Sequence, residues 1–257
     1  MVIPARHGST RLPGKPLLEI AGKAMVLHVC DRARESGACE IVVATDHEAI
    51  RDCAEAYGVR AIMTRSEHRN GSERLAEVCE ALAWKDADIV VNLQGDEPLV
   101  PAATIRRLAR ALQAAESTQV ATLASPIENP AELFDPNAVK VVVDHSDHAL
   151  YFSRAPIPWN RDHFSPGRIP QNLSHVYRRH IGMYAYSVAF LNRYKSWPIS
   201  ELEQIESLEQ LRILWHGERI LVVMLELAPE AGIDTPEDLD RVAKALRTKL
   251  QKPSSPH

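Results

Sequence analysis

The first half of the chain alternates buried strand-like runs with helix-like segments, and this alternation constrains the fold more than any other feature. Residues 40–46, EIVVATD, and residues 88–92, DIVVN, are β-branched runs without polar alternation, as expected of strands covered on both faces. Amphipathic segments such as residues 71–84, GSERLAEVCEALAW, separate such runs. Repeated βα units of this length predict a mostly parallel sheet with helices on both faces.

The pattern changes after Val120. Residues 120–127, VATLASPI, and 138–144, AVKVVVD, are predicted strands with no long helix between them. A polar, turn-rich segment, residues 160–173, is expected to be mobile without ligand and to order over it. Residues 201–217, ELEQIESLEQLRILWHG, predict one amphipathic helix. Its apolar side would carry Leu202, Ile205, Leu208, Leu211 and Ile213.

No linker separates the two patterns, so we predict one continuous sheet with a lid-like insertion. The single domain would span residues 1–250, with halves at about 1–120 and about 121–250. Residues 251–257, QKPSSPH, are predicted to be a disordered tail.

Composition excludes several classes of function. The 257-residue chain has a net charge of −4 and no long basic run, so no nucleic-acid partner is expected. No apolar run is long enough to cross a bilayer, and the N-terminus lacks the pattern of a secretory signal, so no membrane partner is expected. The four cysteines form no C-x-x-C pair, which favours free thiols in a reducing cytoplasm.

The loop after the first short strand, within residues 3–15, IPARHGSTRLPGK, concentrates cations and glycines. Its cations are Arg6, Arg11 and Lys15, and its glycines are Gly8 and Gly14. Ligands of doubly wound sheets sit beyond the carboxyl ends of strands, and glycines let backbone N–H groups approach an anion. The loop therefore predicts phosphate binding, although a solvated basic loop is the alternative and the role of Arg11 stays open.

Two aspartates are candidate metal ligands. Asp96 follows the predicted strand in NLQGDEP, residues 92–98, where a carboxylate beside a phosphate site suits Mg²⁺. The same residues are also ordinary turn material. Asp234 precedes a helix with Thr235 as its N-cap, so it is either a capping accessory or, if it lies close to Asp96, a second ligand.

A fourth group of polar residues lies in the second half. YFSRAPIPWNR, residues 151–161, and RRHIGMYAY, residues 178–186, carry Arg154, Arg161, His180 and Tyr184. Together these would form a cationic, hydrogen-bonding surface for a carboxylated, hydroxylated ligand, although a lone His or Tyr on a strand is more often structural.

Motifs along nearly the whole chain, from residue 3 to about 242, resemble the 3-deoxy-manno-octulosonate (Kdo) cytidylyltransferase, or CMP-Kdo synthetase, family. RLPGK and NLQGDEP alone indicate only a sugar nucleotidyltransferase, whereas YFSRAPIPW with RHIGMYAY and LEQLR is far more specific. The matching stretches also include VVATDHEAI, GSERLAEV, PNAVKVVVD and GIDTPEDLDRV. Two departures are a first strand with few apolar residues before IPAR and NGSERL in place of an SGTERL-like stretch. The sparse first strand is expected to reflect either a recorded start that is too short or a stub that weakens the centre of the sheet.

The resemblance implies an enzyme that joins CTP and Kdo, an acidic sugar of lipopolysaccharide synthesis, into CMP-Kdo and pyrophosphate with Mg²⁺. The implied fold is a single cytidylyltransferase domain of the glycosyltransferase-A-like nucleotide-diphospho-sugar transferase type. This is a three-layer α/β/α sandwich with a mixed, mostly parallel sheet. The first half would bind nucleotide, the second would bind sugar and form a homodimer, and the enzyme would be cytoplasmic.

The resemblance also implies roles for individual residues. The implied catalytic residues are Arg6 and Lys15, which would hold the CTP phosphates, and the metal ligands Asp96 and Asp234. The nucleotide site would further include Ala5, Gly8, Ser9, Ser72 and Gln94. The sugar pocket would be lined by Arg154, Arg161, His180, Tyr184, Glu209 and Gln210.

Two other functions remain open at this level. A related cytidylyltransferase for another acidic sugar, such as sialic acid, would use the same loop and Asp96. A non-enzymatic sugar-nucleotide-binding protein on the same fold would be expected to lack a metal carboxylate, and both are present in this sequence.

Overall fold

The computed structural model describes residues 1–8, 12–68, 70–164, 173 and 175–251, with side chains up to residue 248. The chain divides into two compact units. Unit 1 comprises Met1–Trp84, Val91–Arg107 and the described residues from Pro229 onward, and unit 2 comprises Lys85–Val90 and Leu108–Ala228. The predicted tail beyond residue 251, and residues 165–172 of the segment predicted to be mobile, lie outside the described residues.

The strands in chain order are β1 (Val2–Ala5), β2 (Glu19–Ile20), β3 (Lys23–Ala24), β4 (Val42–Thr45), β5 (Arg60–Met63), β6 (Ile89–Asn92), β7 (Val120–Pro126), β8 (Lys140–Val143), β9 (Ala149–Ser153), β10 (Arg178–Ser187) and β11 (Leu221–Met224). The helices are α1 (Met25–Glu35), α2 (Glu48–Ala56), α3 (Gly71–Ala81), α4 (Ala102–Ala114), α5 (Pro130–Phe134), α6 (Val188–Tyr194), α7 (Glu201–Glu206), α8 (Gln210–Trp215) and α9 (Pro236–Gln251). A 3₁₀ turn covers Lys15–Leu17. No helix in these described ranges is long and apolar enough to cross a membrane.

Unit 1 is built on parallel strands. β1 pairs with β4 through all four of its residues and with the end of β6, and β4 pairs in turn with β5. Every residue of β4 is buried, which confirms the prediction of a strand covered on both faces. Although β1 is only four residues long, it has a parallel partner on each side: β4 along all four residues, and β6 through the pairing of Val2 with Asn92.

Helix α9 packs within unit 1, and this packing fixes the start of the helix, which follows Asp234 and Thr235. Val242 and Leu246 of α9 join a buried cluster with Ile20, Met25 and Ile233. The helix begins as predicted from Thr235, whose Oγ1 accepts from the backbone N–H of Asp238 at 3.2 Å. Asp238 returns the interaction by accepting from the backbone N–H of Thr235 at 3.1 Å, a reciprocal cap.

Unit 2 has mixed strand pairing, as predicted for the chain after Val120. β7 lies between β11, which is parallel to it, and β10, which is antiparallel. β8 pairs antiparallel with β10 and with β9. Parallel strands in unit 1, mixed strands in unit 2 and the helices that follow them confirm the predicted α/β class with a mixed sheet.

The prediction of one long helix over residues 201–217 is wrong. The segment breaks into α7 and α8 at Ser207, whose φ of 53° lies in the left-handed region. Ile205, expected on the apolar side, is 80% exposed. The break is fixed by contacts on both sides of it, because Glu206 binds the end of β9 and Glu203 binds Arg212 of α8.

Glu203 and Arg212 form a buried ion pair that joins α7 to α8. The two carboxylate oxygens accept from Arg212 Nε at 2.7 Å and Nη2 at 2.6 Å. Glu203 is 9% exposed and Arg212 is 2% exposed, so neither charge can be satisfied by bulk water if its partner is removed.

Glu203→Ala should therefore lower the free energy of unfolding by about 3–5 kcal/mol, because it removes the carboxylate that binds a buried guanidinium through two hydrogen bonds. Denaturant titration would measure the loss. The matched control is Glu201→Ala, which removes an exposed carboxylate from the same helix. Equal unfolding midpoints for the two variants would show that the ion pair is dispensable.

Candidate active site

A cavity of about 310 Å³ opens in unit 1 at the carboxyl ends of β1 and β6. It is lined by Pro4, Ala5, Arg6, Gly8, Lys15, Pro16, Gln94, Gly95, Asp96 and Asp234. The fold thus brings together seven of the residues predicted for nucleotide, metal or catalytic roles. They are Ala5, Arg6, Gly8, Lys15, Gln94, Asp96 and Asp234.

Two glycines set how closely the walls of this cavity approach. A Cβ at Gly95 would lie 2.8 Å from the carbonyl oxygen of Pro4, and a Cβ at Gly232 would lie 2.9 Å from that of Asp96. The backbone N–H of Ile233 donates to the same Asp96 carbonyl at 2.9 Å. The segment that carries Asp234 therefore lies directly against the segment that carries Asp96.

Lys15 lies where the two carboxylates meet. Its Nζ is 2.6 Å from Asp96 Oδ2 and 3.0 Å from Asp234 Oδ1. Burial alone would lower the pKa of Lys15, but the charge and hydrogen bond of Asp96, together with those of Asp234, raise it above the ordinary value. Lys15 is therefore a charged ammonium that both aspartates share.

This shared ammonium shows that Asp96 and Asp234 can bind one cation. The two carboxylates come from segments far apart in sequence, yet each places an oxygen within 3.0 Å of the same atom. In the part of the chain that the structure describes, no group of three or more His, Cys, Asp or Glu side chains is arranged to hold a metal. The aspartates are thus the candidate ligands, and phosphate oxygens or water would complete the coordination of a bound ion.

The pKa of Glu97, the residue after Asp96, is also shifted from its ordinary value. Burial, and then the charge of Asp96, raises the pKa of Glu97 to about 7. A second full negative charge beside Asp96 is therefore disfavoured at and below neutral pH.

Asp46 at the end of β4 anchors the base of the cationic loop, a role that the sequence did not reveal. It accepts from the backbone N–H of His7 at 3.2 Å and from Nη2 of Arg74 at 3.3 Å. Arg74 is fully buried, and burial together with the positive charge of Arg6 lowers its pKa. Asp46 thus offsets a buried cation next to the loop, and its only sequence signal was its place at the end of VVATD.

Of the described residues predicted for the nucleotide site, Ser72 does not line the cavity. Ser72 is 2% exposed in the first turn of α3 and is not among the lining residues. Asn70, whose role the sequence left open, is the N-cap of this helix and accepts from the backbone N–H of Glu73 at 2.9 Å. Ser9 and Arg11 lie outside the described residues.

In unit 2, the predicted sugar-binding residues His180 and Tyr184 are neighbours on β10, with ring centroids 5.4 Å apart. Burial, and then the charge of Glu209, raises the pKa of Tyr184 well above its ordinary value, so Glu209 belongs to the same group. The Tyr184 hydroxyl and the Gln210 Nε2 are buried and make no hydrogen bond of good geometry among the described residues. Buried polar atoms of this kind normally meet water or a ligand.

His180 is neutral, so it would contribute hydrogen bonds rather than charge to the predicted cationic, hydrogen-bonding surface. Burial, and then the charge of Arg179, lowers its pKa to about 3. Its Nε2 lies 2.9 Å from Thr122 Oγ1, and that hydroxyl donates its proton to the Met183 carbonyl at 2.9 Å. In the neutral ring, one nitrogen donates a hydrogen bond and the other accepts one.

Arg154 lies at the end of β9, next to the break between α7 and α8. Its guanidinium donates to the carbonyl of Glu206 at 2.7 Å and to that of Pro136 at 2.9 Å. Arg161, by contrast, is exposed, and no described contact brings it to the other five. The structure thus groups His180, Tyr184 and Glu209, followed by Gln210 in sequence, and places Arg154 beside the residues that precede Glu209.

The comparisons with known proteins define the class. The family model described as cytidylyltransferase matches residues 1–220, and the chain belongs to this family. Among its relatives, the 3-deoxy-manno-octulosonate cytidylyltransferase of Methylococcus capsulatus is 57% identical, over 96% of each chain. That of Idiomarina loihiensis is 54% identical, over 95% of this chain and 96% of the relative. These matches confirm the resemblance inferred from the motifs.

Solved structures agree. A CMP:2-keto-3-deoxy-manno-octonic acid synthetase complexed with CTP matches with a TM-score of 0.86 and 42% identity, over 96% of this chain and 98% of that one. A putative glucose-1-phosphate thymidylyltransferase from Bacillus anthracis matches with a TM-score of 0.62 and 18% identity, over 95% and 93%. The second likeness concerns the fold alone, which is therefore that of a nucleotidyltransferase.

The neutral state of His180 has a consequence for stability. Because its pKa is lowered from 6.5 to about 3 on folding, acidification favours the unfolded chain. The contribution of His180 is complete above pH 6.5 and is lost as the pH falls toward 3. Between pH 7 and about pH 5, the wild type should lose about 2 kcal/mol more stability than His180→Gln.

Denaturant titration at both pH values measures this difference, and subtracting the variant removes the carboxylates that titrate in both proteins. Proton NMR gives a second readout, since the ring resonance missing from His180→Gln should keep its neutral shift down to about pH 5. A ring that titrates near pH 6.5 would contradict the assignment.

Proposed function

We propose that the protein transfers the cytidylyl group of CTP to the anomeric hydroxyl of Kdo, giving CMP-Kdo and pyrophosphate for lipopolysaccharide synthesis. The observation that carries this proposal is the meeting of Asp96, Asp234 and Lys15 in the cavity of unit 1, with Arg6 beside them. The names of the relatives support the choice of both substrates.

The nucleotide would lie in the cavity of unit 1 with its phosphates toward Arg6 and Lys15. Gly8 leaves its backbone open to a close approach, because no atom of the described residues lies within 4 Å of where its Cβ would be. Gly14, with φ of 65°, closes the loop by donating to the His7 carbonyl at 3.2 Å and so returns Lys15 to the cavity. The sequence thereby places two cations and an exposed backbone at one strand end.

Asp96 and Asp234 fit Mg²⁺, because the ion commonly uses one or two carboxylates together with substrate phosphates. When bound there, Mg²⁺ supplies neutralisation of phosphate charge and acidification of a coordinated hydroxyl. Lys15, which now pairs with both aspartates, is placed to exchange these oxygens for those of phosphate.

The reaction requires no covalent bond between the protein and a substrate. The sugar hydroxyl attacks the α-phosphorus in line with the leaving pyrophosphate, so the residues must align the two and stabilise developing charge. Arg6 and Lys15 stabilise charge on the pyrophosphate as it leaves. We assign no separate general base.

The sugar would be bound by residues of unit 2. Arg154 offers positive charge to the carboxylate of the sugar, while neutral His180 offers a ring nitrogen to a hydroxyl. The buried Tyr184 hydroxyl and Gln210 amide nitrogen offer further polar contacts, and the Glu209 carboxylate offers an acceptor for hydroxyls. A fixed cation together with several hydrogen-bonding groups suits an acidic, polyhydroxylated ligand.

We further propose a cytoplasmic homodimer. None of the four cysteines is in a disulfide, which agrees with a reducing compartment. Large exposed apolar side chains are concentrated on unit 2, where Leu150 is 62% exposed, Ile205 80% and Leu227 79%. A second copy of the chain is the occupant we propose for this surface.

A pyrophosphate-release assay with CTP tests the proposal. Release should require a divalent cation and Kdo. The competing reading, a cytidylyltransferase for sialic acid, predicts release with that sugar instead. Activity with sialic acid and none with Kdo would overturn our assignment.

Asp96→Asn should lower kcat by at least about 10²-fold, because it removes a charge that holds the cation at the transferred phosphoryl group. Binding of CTP, measured by calorimetry, should be largely retained. Asp240→Asn, which changes an exposed carboxylate on α9, is the control and should keep full activity. Unchanged turnover in Asp96→Asn would remove Asp96 from the mechanism.

A further inference from the structure

Arg154, the proposed ligand for the sugar carboxylate, is held from four directions. Its guanidinium donates to two carbonyls, those of Glu206 and Pro136, at 2.7 and 2.9 Å. Its backbone N–H donates to Glu206 Oε2 at 2.9 Å, and its backbone carbonyl accepts from Lys140 Nζ at 2.6 Å. A long side chain on a strand end is thus confined to one orientation.

Glu206 supplies two of these four contacts and a further one to the neighbouring residue. Its carboxylate accepts from Ser153 Oγ at 2.6 Å as well as from the Arg154 backbone. Its own carbonyl accepts from Arg154 Nε. The side chain of Glu206 therefore binds the backbone at the end of β9, while its main chain binds the guanidinium.

This arrangement leaves part of the guanidinium for a ligand. A guanidinium has five N–H donors, and among the described residues the contacts to Glu206 and Pro136 occupy one on Nε and one on Nη1. Its contact with the Ser207 carbonyl is long, at 3.5 Å. The donors on Nη1 and Nη2 that remain are those that a carboxylate would engage as a pair.

Glu206 also lies close in sequence to Glu209 and Gln210, two other residues of the predicted sugar pocket. Glu206 ends α7, Ser207 takes the left-handed conformation, and Glu209 and Gln210 begin α8. Glu203 and Arg212 hold the two helices together across this break. The contacts of Glu206 therefore fix the end of β9 relative to the start of α8, so that Arg154 and Glu209 keep one spacing.

We propose that Glu206 is a positioning residue for the acidic sugar: it orients Arg154 and sets its distance from Glu209 and Gln210 without touching the substrate. Lys140 supports the same geometry through its contact with the backbone carbonyl of Arg154. It is fully buried, donates to the carbonyls of Asp135 and Arg154, and has a pKa lowered by that burial. The inference rests on the proposed sugar-binding role of Arg154.

Steady-state kinetics of Glu206→Ala tests this. The KM for Kdo should rise about tenfold or more, the effect expected for loss of hydrogen bonds to a charged group. The KM for CTP should stay within about twofold, because unit 1 carries the nucleotide site. Glu206→Gln, which keeps an acceptor for Ser153 or Arg154, should recover part of the loss, and Glu201→Ala should match the wild type.

Calorimetric titration of Kdo gives the second readout and should show the same order of the variants. If Glu206→Ala does not fold, Ser153→Ala takes its place, with an expected rise of about threefold in the KM for Kdo, because the hydroxyl donates to Glu206 and also accepts from the backbone N–H of Ala155. A folded variant whose KM for Kdo is unchanged, or whose KM values for Kdo and CTP rise equally, overturns the proposal.

Assays of the wild type with each sugar distinguish a failure of the proposed role of Glu206 from a failure of the proposed function. If it uses sialic acid and not Kdo, the proposed function fails, and the same comparison is made with the sugar that it accepts. If it accepts neither acidic sugar, both the function and the role of Glu206 are overturned.

Discussion

The convergence of two carboxylates on one ammonium is the constraint on which the rest of unit 1 depends. Asp96 follows a central strand and Asp234 precedes the last helix, and their charges would repel each other without a cation between them. Lys15 supplies that cation, and the cluster under α9 keeps the Asp234 segment in place. The cationic loop, the strand ends and the helix start all serve to bring these three charges within hydrogen-bond distance.

In unit 2, the residues predicted to bind the sugar include a fixed guanidinium, that of Arg154, and a neutral imidazole, that of His180. Arg154 is oriented by carbonyl oxygens, which accept hydrogen bonds without cancelling its charge as a carboxylate would. His180 stays neutral because burial and Arg179 both oppose its protonation. Charge and hydrogen-bond capacity are therefore supplied by different residues, in keeping with a ligand that has one carboxylate and several hydroxyls.

The site residues that could be predicted from the sequence share one feature, which is their position after a predicted strand. Arg6, Lys15 and Asp96 follow predicted strands, and ligands of parallel sheets bind at carboxyl ends, so a local pattern was enough to place them. Asp46 followed a strand too, but nothing local showed that it would meet Arg74. The break at Ser207 was missed because helical periodicity continues through it, and its cause is the contact of Glu206 with a strand far away in sequence. Local sequence patterns therefore predict helices, strands and strand ends. A break within a helix depends instead on contacts with residues that are distant in sequence.

The glycines beside Asp96 bear on how variants of this protein are interpreted. Gly95 and Gly232 carry no chemical group, yet each lies where a single added carbon would collide with a backbone carbonyl of the opposing segment. A substitution at either position would push apart neighbouring main-chain segments and so disturb the contacts of Asp96 and Asp234 with Lys15, with every charged side chain still present. In a screen, such losses would look like losses of catalytic residues, although what they remove is the empty space that lets two pieces of main chain touch.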